Sequence, residues 1–321
     1  MTAKQFNRNR ILSQIHKYGK RRGLPSNLHV DAFMREHVAQ LLAVYSDNDC
    51  VLIGASSLLA RIPNVRQTRD IDLVTTRKVD AFIEDWVEKV NRSTWTPFTF
   101  SIEPKKPIRG VADGRSFSIA VSINDEFLAR VKLDVSHREL QDPELVRGQS
   151  LDVPFLSARG NIVYPVVSMV DYISDKVEAL FTEYRDKDGN RVFNHRWHDL
   201  ADIALVSQHL VLTDQPVIAE IISRLAHHPA FRLPSSFEQP DETYTEENWA
   251  FMAKRRHIPS ELTLSVALKS ASLFLNPLMG YAVKGVVPRQ PHFWVPTAGQ
   301  WESDSTFTTA DSVFPFLAGD S

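Results

Sequence analysis

The sequence predicts an α+β protein, with a mixed β-sheet flanked by helices followed by a mainly helical C-terminal domain. Two features of the hydrophobic pattern indicate this fold class. Up to about residue 136, short segments of alternating apolar residues are interleaved with amphipathic helices, whereas from about residue 165 the apolar residues recur at helical spacing. The chain has 321 residues, 43% of them hydrophobic, which is enough for a sizeable core and excludes wholesale disorder.

The first half of the chain alternates predicted helices and strands. Residues 31–46 carry apolar side chains at helical spacing, and 49–53 form a short β-like run that leads into a Gly-Ala-Ser-Ser turn and a helix. Residues 69–75 alternate polar and apolar side chains, as in a strand with one buried face. The remaining predicted elements of this half are a helix over 78–92 and strands over 96–102, 116–123 and 128–136.

The second half is predicted to be helical. Its predicted elements are helices over 172–181, 197–210, 214–227 and 260–275, with a polar, proline-rich loop over 229–248. These patterns divide the chain into four parts: a basic N-terminal arm (1–30), a core domain (31–160), a helical domain (161–280) and an irregular C-terminal tail (281–321).

Charge and cysteine content exclude several classes of protein. Lys and Arg number 37 against 39 Asp and Glu, so no overall basic excess indicates nucleic-acid binding. Residues 1–30 differ, with seven Lys or Arg and no acid; they form either a solvated, partly helical surface or a site for phosphate groups.

The single cysteine, Cys50, excludes an internal disulfide framework. With no signal-peptide pattern and no apolar run near the roughly 18 residues of a membrane helix, we expect a cytoplasmic protein without a membrane partner.

The most informative stretch is the Gly54-Ala55-Ser56-Ser57 turn together with the strand that carries Asp70 and Asp72. Residues two apart on a strand project from the same face, so the two carboxylates are expected to point at one spot. Such oxygen donors suit Mg²⁺, which is commonly held by carboxylates and substrate phosphates. The turn precedes a helix, where free N–H groups and the helix dipole favour an anion such as a triphosphate.

A second alternating strand supplies another carboxylate. Lys132 and Asp134 are expected on one face of it, with apolar residues on the other. A third acid beside Asp70 and Asp72 is what a two-metal phosphoryl-transfer site requires, with two acids holding the ions and one activating the attacking hydroxyl. The alternative is a surface ion pair on an edge strand.

Taken in order, these motifs resemble those of the AbiEii/AbiGii nucleotidyltransferase toxins, which include the MenT toxins and belong to the DNA polymerase β-like nucleotidyltransferase superfamily. The resemblance covers roughly residues 50–205 closely and 30–275 more loosely. Its motifs are Gly54-Ala55-Ser56-Ser57, Arg66-Gln67-Thr68-Arg69-Asp70-Ile71-Asp72-Leu73, Lys132-Leu133-Asp134, Asp175-Lys176-Val177-Glu178-Ala179-Leu180 and His198-Asp199-Leu200-Ala201-Asp202.

The resemblance implies a nucleotidyltransferase fold for residues 31–160 and a role for each matching residue. Asp70 and Asp72 are expected to bind metal. The expected catalytic residues are these two together with Asp134, Lys176 and Asp199. Nucleotide binding falls to Gly54, Ser56, Ser57, Arg66 and Lys176, with the choice between the two serines left open. Two Mg²⁺ ions, an NTP substrate, an RNA acceptor such as a tRNA 3′ end, and a cognate antitoxin are implied as cofactors and partners.

Two other functions are compatible with the same motifs. The first is a transferase for a small molecule, as in aminoglycoside nucleotidyltransferases, for which an acidic acceptor groove would be expected. The second is a catalytically silent module that binds nucleotide without releasing pyrophosphate. The intact set of three acids favours an enzyme over the silent module.

Overall fold

The computed structural model describes residues 7–62, 66, 68–93, 96–108, 113–139, 143–148 and 162–303. The chain divides into two compact units, Met1–Ser168 and Met169–Ser321. The predicted fold class is confirmed, because the first unit contains a mixed sheet with helices and the second is mainly helical. Residues 304–321, the end of the predicted tail, lie outside the described ranges.

The first unit combines four α-helices with seven strands in its described residues. They are α1 (Arg8–Arg21), α2 (His29–Tyr45), β1 (Cys50–Ile53), α3 (Gly54–Arg61), β2 (Asp70–Thr75), α4 (Val79–Asn91), β3 (Thr99–Pro107), β4 (Gly114–Ile123), β5 (Glu126–His137), β6 (Glu144–Gly148) and β7 (Ile162–Val166). The strand order is β3-β4-β5-β2-β1-β7-β6. Within it, β2 pairs with β5 and β1 with β7 in parallel, and the other neighbours are antiparallel.

Alternation along β2 and β5 separates a core face from a polar face. Ile71, Leu73, Leu133 and Val135 are at most 2% exposed and belong to one apolar cluster with residues of α1, α2 and α4. Each fully buried aliphatic side chain of this kind contributes about 1.5–3 kcal/mol relative to an exposed one. This packing fixes the strand register, because a shift by one residue would turn the apolar set outwards.

Residues predicted as part of a basic arm form a helix that belongs to this core. In α1, Ile11 and Ile15 are buried in the same apolar cluster, and the helix packs against α2. Gly19 makes close packing possible, since a Cβ there would overlap the ring of His29. The basic residues of 8–21 are therefore carried by a docked helix.

The second unit contains five helices and a small antiparallel sheet in its described part. They are α5 (Met169–Phe181), α6 (Trp197–His209), β8 (Leu212–Thr213), α7 (Asp214–His227), α8 (Glu246–Arg256), α9 (Leu264–Lys284), β9 (Phe293–Val295) and β10 (Gln300–Glu302), with sheet order β10-β9-β8. Trp294 and Trp301, in the predicted tail, pack their rings against Phe274 of α9 at centroid distances of 5.1 and 5.4 Å. None of the helices within the described ranges is long and apolar enough to cross a membrane.

A buried histidine makes the stability of the first unit sensitive to acid. His37 is fully buried between Phe33 and Phe98, and its Nε2 lies 3.0 Å from Thr96 Oγ1. Burial lowers the pKa of His37 to about 3. In the unfolded chain a histidine has a pKa near 6.5, so between about pH 6.5 and 3 the unfolded state binds a proton that the folded state does not.

We therefore predict that the free energy of unfolding falls as the pH drops below about 6.5, with a loss of about 2 kcal/mol from His37 by pH 5. His37→Gln, which can still bond Thr96, removes this part of the acid dependence. Urea unfolding at pH 7.5 and pH 5 measures both proteins. Equal losses of stability in the wild type and the variant would contradict the assignment.

Candidate active site

Three carboxylates meet on the polar face of the first sheet. Asp72 of β2 lies directly opposite Asp134 of β5, and Asp70 lies opposite Lys132 in the same parallel register. One oxygen from each of Asp70, Asp72 and Asp134 falls within 4.8 Å of the others. All three acids are half-buried, so they share a partly desolvated site that remains open to ligands.

One lysine sits among these acids. Lys132 Nζ lies 3.2 Å from Asp70 Oδ2 and 2.5 Å from Asp134 Oδ2. Burial opposes the charged form of Lys132, but the hydrogen bond to Asp134 and the charge of Asp70 outweigh it, and the pKa of Lys132 is raised. Lys132 is therefore an ammonium in direct contact with two of the three carboxylates.

The donor set suits a divalent metal ion. Carboxylate oxygens are the hard ligands that Mg²⁺ prefers, and three of them lie close enough to share an ion. Asp134 Oδ1 is buried and has no hydrogen-bond partner within the part of the chain that the structure describes. A buried acceptor without a partner is costly, and a cation or a hydroxyl at this position would satisfy it.

The Gly-Ala-Ser-Ser segment is the first turn of α3, where a separate turn had been predicted. It lies beside the acids because Ile53, at the end of β1, pairs with Asp72. Gly54 has φ +56°, and a Cβ there would come within 3.0 Å of Asp72 Oδ2, so glycine is required for both conformation and space. The N-cap residue is Ile53, whose side chain offers no acceptor, which leaves the first N–H groups of the helix available to an anion.

The two serines of this turn differ in their bonding. Ser57 is fully buried and its hydroxyl donates to the carbonyl of Gly54 at 2.8 Å. Ser56 Oγ is buried and has no hydrogen-bond partner among the described residues. Ser56 therefore has the hydroxyl that is free to bind a ligand, a distinction that the sequence left open.

Another group of charges lies within the second unit. Lys176 Nζ on α5 is 2.5 Å from Asp199 Oδ1 and 3.1 Å from Asp202 Oδ2, both on α6. The two carboxylate side chains are at most 2% exposed and that of Lys176 is 12% exposed. Arg196 Nη1 adds a second positive charge 3.5 Å from Asp199 Oδ2. Asp199 and Asp202 lie three residues apart on one helix, and both contact Lys176.

Comparison with known proteins identifies the family. Residues 38–266 match the model for the nucleotidyl transferase AbiEii toxin of type IV toxin–antitoxin systems. The chain belongs to the AbiEii nucleotidyltransferase toxin family. The matched range includes Asp70, Asp72, Asp134, Lys176 and Asp199 and begins after α1. The predicted family is confirmed, and with it a nucleotidyltransferase activity and a toxin that has a cognate antitoxin.

Solved structures are also similar to the chain. MenT4, the nucleotidyltransferase toxin Rv2826c from Mycobacterium tuberculosis H37Rv, aligns at 14% identity and a TM-score of 0.48, over 86% of this chain and 99% of that one. JHP933 from Helicobacter pylori aligns at 15% identity and a TM-score of 0.46, over 79% and 93%. The search of curated proteins gives no match.

Two residues near the three carboxylates were missed by sequence reasoning. Arg35 of α2 is half-buried, and its burial lowers its pKa, while the nearby charges of Asp31 and Asp70 act to raise it. Ser116 of β4 lies opposite Asp134, and its buried Oγ has no partner within the described residues. The alternation of serine with apolar residues in β4 was the available signal for Ser116. No local pattern could connect Arg35 with Asp70.

Arg66, predicted to bind nucleotide, is 3% exposed. Its burial sets it apart from the exposed arginines of the surface, since a buried guanidinium requires paired or hydrogen-bonded surroundings. Its assignment to nucleotide binding stays a prediction, as do the catalytic assignments of Lys176 and Asp199.

We predict that Lys176→Met destabilises the second unit of this AbiEii protein by about 3–5 kcal/mol, because it leaves Asp199 and Asp202 buried without their shared cation. The matched control is Lys187→Met, at an exposed lysine between α5 and α6. Chemical unfolding followed by tryptophan fluorescence measures both variants. Equal stability of the two would show that the buried cluster contributes nothing to the fold.

Proposed function

We propose that the protein transfers a nucleoside monophosphate from an NTP to a hydroxyl group of RNA, in particular the 3′ end of a tRNA, as a toxin acting in the cytoplasm. One observation carries the proposal: three carboxylates lie on one sheet face beside the N-terminus of α3. Carboxylates for metal and a helix N-terminus for phosphate are the two parts that an NTP-dependent transfer needs.

Asp70, Asp72 and Asp134 would hold Mg²⁺, and we favour two ions, with Asp70 and Asp72 as the principal ligands. When bound, Mg²⁺ neutralises charge on the triphosphate and polarises the phosphate that is transferred. Lys132 holds Asp70 and Asp134 in position through its two contacts. The three carboxylate groups supply the negative charge that would attract the metal.

The nucleotide is bound by groups around the start of α3. Its backbone N–H groups and the Ser56 hydroxyl donate to the β- and γ-phosphate oxygens, and Gly54 allows their close approach. Arg66 contributes positive charge to the same phosphates. The family resemblance is the reason for proposing that Lys176 contacts the nucleotide and that Asp199 holds Lys176 in position.

Asp134 activates the acceptor. Its Oδ1, which has no partner within the described chain, accepts the proton of the attacking hydroxyl. The acceptor oxygen then bonds to the α-phosphorus as the bond from that phosphorus to the bridging oxygen of the β-phosphate breaks. Pyrophosphate leaves, and the acceptor keeps the nucleoside monophosphate.

The experiment incubates the protein with Mg²⁺, total RNA and each α-labelled NTP in turn. We predict that label enters an RNA the size of tRNA and that pyrophosphate is released. Asp70→Asn or Asp72→Asn lowers the rate by about 100-fold or more, the usual cost of removing one group that stabilises charge in the transition state. The control, Asp125→Asn in the exposed β4–β5 turn, keeps the wild-type rate.

Three results would contradict the proposal in different ways. Label found only in an added aminoglycoside indicates a small-molecule transferase. Nucleotide binding without pyrophosphate release indicates a silent binding module. Full activity in Asp72→Asn would show that the reaction does not depend on the carboxylate site.

A further inference from the structure

One side of α1 is basic and exposed, although its other side belongs to the core. Arg10, Lys17, Lys20 and Arg21 are exposed, whereas Ile11, Ile15 and Tyr18 are buried. At 3.6 residues per turn, Arg10, Lys17 and Arg21 fall on one stripe, with Lys20 beside it. With a rise of 1.5 Å per residue, the stripe from Arg10 to Arg21 is about 16 Å long. These four residues are called the α1 basic face below.

Three of the four charges of this face, all but that of Arg21, are uncompensated among the described residues. Two other cations of the segment are neutralised, since Arg8 pairs with Glu126 and Arg22 with Glu36. Arg10, Lys17 and Lys20 have no ion-pair partner within the described ranges, and residues 1–30 contain no acid. An ordinary solvated surface intersperses both signs of charge. The helix dipole accounts for Lys20 and Arg21 in the last turn, but not for Arg10 or Lys17.

The helix holds this face rigidly. Asn7 caps its N-terminus by accepting from the backbone N–H of Arg10 at 3.0 Å. Near its other end, Tyr18, Arg22 and Glu36 bond to one another and connect α1 to α2. Cations on such a support lose less conformational entropy on binding than those on a mobile arm.

The face is also connected to the candidate active site through α2. That helix packs against α1 on one side and against β5 on another, and it carries Arg35, whose charge acts on Asp70. Both α1 and α2 pack on the apolar face of the sheet, and the carboxylates lie on its other face, so a ligand that reached both would have to extend around the sheet.

Charge complementarity identifies the class of ligand. A stripe of cations about 16 Å long matches a polymer with regularly repeated negative charges, such as a phosphate backbone. Insertion into a lipid bilayer would need the apolar side of α1, which is already buried in the core. We propose that the α1 basic face binds the phosphate backbone of the RNA acceptor. This rests on the proposed function, and α1 lies outside the range matched by the family model.

The test compares two triple variants that remove the same charge. Arg10→Gln, Lys17→Gln and Lys20→Gln are combined in the α1 variant, and Lys254→Gln, Lys269→Gln and Arg289→Gln, all exposed in the second unit, form the control. Binding of labelled tRNA is measured by fluorescence anisotropy between about 50 and 200 mM salt. In this range the affinity of a protein that contacts several phosphates changes strongly. Transfer rates are measured against RNA concentration, and NTP binding is measured without RNA.

For the α1 variant we expect tRNA binding to be about 10-fold or more weaker near 0.1 M salt. The slope of log affinity against log salt should also be shallower by about 2 to 3, because each lost phosphate contact removes about 0.7–0.9 from it. The RNA concentration for half-maximal transfer rises by a similar factor, and NTP binding is unchanged. The control variant behaves like the wild type.

Wild-type affinity and salt dependence in the α1 variant would overturn this inference, whatever the transfer assay shows. Loss of binding to anionic phosphatidylserine vesicles, with tRNA binding retained, would also overturn it and indicate a membrane surface. If the wild type binds tRNA through this face but transfers nothing to it, the inference stands and the proposed function fails. If the wild type does not bind RNA, both fail.

Discussion

The parallel pairing of β2 with β5 is the constraint on which the candidate site depends. It sets Asp72 beside Asp134, which brings two like charges together, and Asp70 beside Lys132 on the same face. Two carboxylates within 4.8 Å of each other repel by roughly 3 kcal/mol at an effective dielectric constant near 20. The apolar residues of the opposite face maintain the arrangement, because moving either strand by one position would bury its acids.

Repulsion among these acids explains several neighbouring features. Lys132 offsets part of it, and the positive end of the α3 dipole lies beside Asp72. Arg35 adds further positive charge near Asp70, and a divalent cation held by the three acids would offset more of their repulsion. Gly54 belongs to the same arrangement, since a side chain there would meet Asp72 and close the helix terminus to phosphate.

Sequence reasoning predicted what depends on local periodicity and missed what depends on distant pairing. The positions of Asp70, Asp72 and Asp134 followed from alternation on two strands and from the family motifs. The strands β6 and β7 were missed because both are short and β7 contains Pro165, which disfavours a strand assignment. Helix α9 was predicted to end at 275, before Pro277. It continues to Lys284, because side chains on both sides of the proline are buried and stabilise it.

The roles of single side chains were harder to predict than the elements that carry them. The difference between Ser56 and Ser57 depends on the rotational phase of α3, which begins at Gly54 because that residue adopts a positive φ. The proximity of Arg35 to Asp70 depends on how α2 is placed against the sheet. Such contacts arise from tertiary packing, and they cannot be predicted from the spacing of residues within one segment.

The central claim is that Asp70, Asp72 and Asp134 form one divalent-metal site. Crystals grown with Mn²⁺, which can replace Mg²⁺ at oxygen ligands, test it directly through anomalous scattering. We expect a strong anomalous peak at about 2.0–2.2 Å from oxygens of these carboxylates, with Lys132 displaced from them, and no peak in Asp72→Asn crystals. A map with no peak at the three acids, at a Mn²⁺ concentration that supports nucleotide transfer, would contradict it.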